Sequence, residues 1–88
     1  MAKVVFRIEI FQEGDTYVSL CPELNVSSFG DTIEQAKQSL IEAVEAFVET
    51  CEEMGTLSEV LEESGFHKAG DTWVPREPVV AQKATIPA

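Results

Sequence analysis

Glu45, Glu49, Glu52 and Glu53 stand three and four residues apart, the spacing that puts side chains on one helix face. Such a cluster can serve acid–base chemistry, a cation, or a basic surface. Acid–base work needs a carboxylate desolvated enough to hold its proton near neutrality, and an exposed helix face supplies no such environment. Zinc needs about four ligands at a recognisable spacing, and Cys21, Cys51 and His67 offer none. Cys21 has no base beside it in sequence, and His67, the single histidine, precedes a tight turn in the manner of an ordinary surface residue. The glycines punctuate elements and build no phosphate loop. We therefore expect no catalytic residue, no cofactor and no metal, and a protein that is not an enzyme. Two readings of the carboxylates remain: a face that keeps a small protein soluble, or a surface for a basic partner.

The elements that must position them follow from hydrophobic period. From Lys3 to Gln12, Val4, Phe6, Ile8 and Ile10 alternate with Val5, Arg7, Glu9 and Phe11, which predicts a strand with one buried face. Gln12 to Asp15 supplies a hairpin turn, and Thr16 to Cys21 returns as a second strand that Pro22 ends. After a turn at Glu23 to Asn25, Val26 to Phe29 predicts a third strand of a meander. Asp31 with Glu34 reads as a capping box, opening a helix whose apolar stripe is Ile33, Ala36, Leu40, Ala43, Val44, Phe47, Cys51 and Met54. Gly55 ends it, and Thr56 with Glu59 caps a short second helix that Gly65 stops. Phe66 to Pro75 predicts a hairpin around Gly70-Asp71, and Val79 to Ile86 an edge strand or an arm that pairs with another copy. Val5 and Phe11 are apolar on the wetter side of the first strand, so either the C-terminal segment covers them or they form an oligomer interface. The expected fold is a single α+β domain over residues 1–88, with one long helix packed on an antiparallel meander.

Composition narrows the partner. Sixteen acidic residues against six basic give a formal charge of −10. Such a chain is poorly suited to phosphate backbones, whose binding needs Lys and Arg to release counterions, so no direct nucleic-acid contact is expected. Between residues 31 and 65 stand ten acidic residues and one basic, Lys37, a local charge of −9. Nearly the whole net charge thus belongs to the helical layer. Two cysteines are too few for a stapled secreted scaffold and no apolar run suits a signal peptide or a membrane span, so we expect a reducing cytoplasm and no membrane contact.

Three segments together resemble the HicB family of antitoxins: Tyr17-Val18-Ser19-Leu20-Cys21-Pro22-Glu23-Leu24, then Gly30-Asp31-Thr32-Ile33-Glu34-Gln35-Ala36, then Leu40-Ile41-Glu42-Ala43-Val44. The likeness covers about residues 3 to 54. It implies a partial ribonuclease-H-like α+β fold without that enzyme's activity. It also implies a partner, a small basic HicA-type ribonuclease that cuts messenger RNA and whose active site the antitoxin masks. Many HicB proteins continue into an operator-binding domain; nothing after Gly65 has the length, charge or period for one. The turn at Leu24-Asn25-Val26 lacks the glycine often found there, which suggests a short standalone form. We expect a homo-oligomeric antitoxin-like protein whose partner surface is Glu45, Glu49, Glu52 and Glu53. The alternative is a small regulatory or structural homo-oligomer that binds another protein or a small ligand.

Overall fold

The computed structural model describes residues 2–88. The alternating N-terminal stretch forms two strands, β1 (Lys3–Val4) and β2 (Glu9–Glu13). A tight turn leads to β3 (Thr16–Cys21) and a second turn to β4 (Val26–Gly30). Helices α1 (Ile33–Met54) and α2 (Leu57–Glu63) follow, and then the hairpin of β5 (His67–Ala69) and β6 (Thr72–Val74). The fold is α+β, with six short strands in two three-stranded sheets. β2, β3 and β4 make the antiparallel meander, while β1 pairs in parallel with β6, which pairs with β5.

The single strand expected from Lys3 to Gln12 is interrupted because its two halves have different partners. Residues 5–8 lie between the two ladders. The alternation of side chains survives the change: Val4, Phe6 and Ile8 pack against the core, whereas Val5, Arg7, Glu9 and Phe11 point outward. At the second turn Asn25 adopts φ 54°, a left-handed conformation that asparagine tolerates better than most residues.

Helix α1 starts one residue later than a cap at Asp31 would place it. Thr32 is the N-cap, its hydroxyl accepting from Gln35 N at 3.1 Å, and Gln35 Oε1 reaches back to accept from Asp31 N at 3.0 Å. Thr-x-x-Gln is itself a capping-box pattern, so the pair that wins is Thr32 and Gln35 rather than Asp31 and Glu34. Gly55 closes the helix at φ 72°, a conformation that costs a residue with a Cβ. Thr56 does not cap α2 with its side chain; its hydroxyl donates to the Cys51 carbonyl of the preceding helix at 3.4 Å.

Cys21, Leu24, Leu40, Val44, Leu61, Phe66 and Trp73 form the buried core, drawn from sheet, both helices and the C-terminal hairpin. The helix stripe is buried in its middle, at Ala36, Leu40, Val44 and Cys51, but Ile33 and Met54 at its ends are exposed. Length explains the difference. A helix of 22 residues extends about 33 Å, and strands of five or six residues reach only about 20 Å.

The helix is seated at one close approach. Fully buried Ser19, on β3, donates its hydroxyl to the Ala36 carbonyl at 2.8 Å. Next to it, a Cβ on Gly30 would lie 2.6 Å from the Ala36 nitrogen and 2.7 Å from the Gln35 Cβ. Only glycine lets β4 run so near the first turn of α1. Gly30→Ala is therefore expected to destabilise by about 2–3 kcal/mol through forced displacement of the helix, and Ser19→Ala by about 1 kcal/mol. Urea unfolding followed by circular dichroism measures both, and a neutral Gly30→Ala would contradict this seating.

Candidate protein-binding surface

Burial of Ala36, Leu40, Val44 and Cys51 fixes the rotation of α1 about its axis. At about 100° per residue, Glu42, Glu45, Glu49, Glu52 and Glu53 then fall within an arc about 100° wide on the side opposite that stripe. All five are exposed. The stripe runs about 17 Å along the helix. Glu59, Glu62 and Glu63 on α2 are exposed as well.

Three of the six cations are engaged elsewhere. Lys37 reaches Glu34 at 3.5 Å, Arg7 binds Glu23, and Lys68 Nζ lies 5.7 Å from the centroid of the Trp73 ring. Among the described residues, no carboxylate from Glu42 to Glu63 has an ion-pair partner. The arrangement is locally unfavourable on two counts. Neighbouring like charges at three- and four-residue spacing cost a few tenths of a kcal/mol per pair. Glu52 and Glu53 also sit in the last turn of α1, which has no basic residue, where the helix dipole favours cations. Solubility requires acidic residues somewhere on the surface; it does not require them here.

A second exposed feature lies on the other side of the meander. Ser19 and Cys21 of β3 point toward α1, so Val18 and Leu20 point away. In register, Phe11, Val18 and Phe29 are neighbours across all three strands on that open face. Phe11 is 52% exposed and Phe29 68%. Val5, with the same outward parity, is 48% exposed. The C-terminal segment does not cover them. Phe29 was legible only in part: a short apolar strand is evident from sequence, but its outward direction depends on the hairpin register.

The Arg7–Glu23 pair is a feature that sequence reasoning missed. Arg7 donates from Nη2 and Nε to one oxygen of Glu23, at 2.7 and 3.1 Å. The Glu23 side chain is only 5% exposed, and its other oxygen, Oε1, has no hydrogen-bond partner. Pairing with Glu23 raises the Arg7 pKa above its usual value. Arg7 also borders an open cleft of about 380 Å³ with Arg76, Glu77 and Pro78. The separation of 16 residues between Arg7 and Glu23 hides the pair from any local motif.

Cys21 and Cys51 are free and buried. Burial pushes the Cys21 thiol above its usual pKa of 9.0, opposed by backbone hydrogen bonding at Leu24. A thiol held protonated is a poor nucleophile. Among the described residues, no three His, Cys, Asp or Glu side chains converge as a metal site, and no helix is long and apolar enough to cross a membrane.

Compared with protein families, curated proteins and solved structures, the chain matches none. The likeness to HicB proteins rests on its motifs alone.

Two outcomes are expected from this geometry. Arg7→Met strands a buried carboxylate, so it should lower the urea midpoint more than Arg7→Met combined with Glu23→Gln. Equal losses would mean that Glu23 is solvated without Arg7. For Cys21, the folded chain keeps the proton to higher pH than the unfolded chain, so the unfolded state ionises first and is favoured as pH rises. Between about pH 8 and 10, wild-type stability should fall more steeply than that of Cys21→Ala.

Proposed function

We propose that this chain is an antitoxin-like binding protein that neutralises a small basic ribonuclease of the HicA type by covering its active site. The observation that carries the reading is the unneutralised carboxylate stripe on α1, held on a rigid element directly opposite the buried stripe. Glu45, Glu49, Glu52 and Glu53 form the centre of the contact. A basic ribonuclease presents Lys and Arg to its RNA substrate, and an acidic surface competes for those same groups. Long-range attraction speeds encounter, and its strength falls with ionic strength. No side chain of the antitoxin needs to react; occlusion is enough.

The resemblance at Tyr17–Leu24, Gly30–Ala36 and Leu40–Val44 supports the choice of partner class. Those motifs include the structural seat of the helix, Ser19, Gly30 and Ala36, and so concern the scaffold that presents the acidic stripe.

Co-expression with a small basic HicA-type ribonuclease should restore growth and yield a co-purifying complex. Glu49→Lys with Glu52→Lys should weaken that complex at least about tenfold, equivalent to ~1.4 kcal/mol, and flatten its salt dependence. Unchanged affinity and unchanged salt dependence in the double variant would remove the stripe from the contact.

A further inference from the structure

The C-terminal arm and the free edge of β2 are complementary features that the fold leaves unused. Among the described residues β2 pairs with β3 alone, so its other edge presents unpaired backbone groups. β6 runs parallel to β1, and the last bond of that ladder is from Val5 N to Trp73 O. Pro75 and Pro78 follow, and neither has an amide hydrogen to continue it. The arm therefore leaves the body before it can zip along its own β2.

Residues 79–86 belong to no strand, and Val79, Val80 and Ile86 are exposed. The radius of gyration is 15.1 Å, against roughly 12 Å for a compact domain of this length. An extended apolar arm and an open strand edge on one chain make a self-complementary pair. We propose that residues 79–86 of one copy add as a strand along the β2 edge of a second copy, and that the two copies exchange these arms reciprocally.

The side-chain pattern fits that placement. In an extended arm Val80, Gln82, Ala84 and Ile86 fall on one side, apolar except for Gln82, and Val79, Ala81, Lys83 and Thr85 on the other. β2 offers Ile10 on its core side, where α1 packs chiefly over β4 and β3. On its open side it offers Glu9 and Glu13 flanking Phe11. Val80, Ala84 and Ile86 extend the apolar side beyond Ile10, and Lys83 meets the two carboxylates.

A second copy is the occupant that charge and area favour. Residues 76–88 carry two basic residues and one acidic, whereas residues 1–75 carry four basic and fifteen acidic. The arm is thus weakly cationic on a chain that is anionic as a whole. Joining along β2 also keeps the acidic helix stripes of the two bodies on outer surfaces. The open face alone is too small for a stable dimer: three strands of five residues cover roughly 240 Å², below the ~800 Å² per partner typical of stable interfaces. The exchanged arms supply the remainder.

Sedimentation equilibrium of the full chain tests the exchange, with Val80→Asp/Ile86→Asp and Ala84→Pro as variants and circular dichroism as the folding control. The arm is exposed, so neither variant should alter the folded body. The wild type should sediment at twice its 9.7 kDa, and each variant should dissociate at least about tenfold more readily. A wild-type monomer at concentrations up to about 0.5 mM, or a dimer indifferent to both variants, would overturn the proposal. A monomer whose arm amides resist hydrogen exchange would place the arm on its own sheet and overturn it equally. Self-association is measured on the chain alone, so its outcome is separate from toxin binding.

Discussion

The close approach of α1 to the sheet at Ser19, Gly30 and Ala36 sets the geometry of everything else in this protein. Ser19 satisfies its buried hydroxyl on the Ala36 carbonyl, and Gly30 removes the side chain that would hold the helix away. With the first turns fixed, Leu40 and Val44 enter the core in sequence, and Leu61, Phe66 and Trp73 pack against the same cluster. Rotation of the helix is then no longer free. A turn of about 100° in either direction would bury a glutamate and expose Leu40, a change opposed by both carboxylate desolvation and lost apolar burial.

That same constraint fixes the position of the acidic stripe. Carboxylates on a mobile tail would offer charge without shape. On α1 they form a line whose spacing and direction follow from helix geometry. Their mutual repulsion and the opposed helix dipole lower the stability of the free protein. The basic partner proposed above would relieve both effects, so part of its binding energy would come from repulsion already present in the unbound domain.

Much of this was legible in the sequence because local signals and hydrophobic period agreed. β3 has the bounds that Thr16–Cys21 predicts, and Gly55 ends the helix as a glycine C-cap should. The charge of the helical layer was likewise visible, since position on a helix face depends only on spacing. What escaped depended on chain segments distant in sequence. The break after Val4 arises from pairing with β6 some seventy residues away, and the Arg7–Glu23 bond joins a strand linker to a turn. The cap moved from Asp31 to Thr32 because two valid capping patterns overlapped and only backbone geometry chose between them. The outward direction of Phe29 needed the register of two hairpins.

The domain thus presents two faces of different chemistry, an anionic helix surface and an apolar open sheet with a free edge. We propose that a basic ribonuclease meets the first and a second copy of the chain the other. Amide chemical-shift mapping on the ¹⁵N-labelled protein, titrated with a purified HicA-type ribonuclease, tests that assignment directly. Perturbations centred on Glu45, Glu49, Glu52 and Glu53 that fade as salt is raised are the expected result. Perturbations confined to Phe11, Val18 and Phe29, with α1 unmoved, would contradict it.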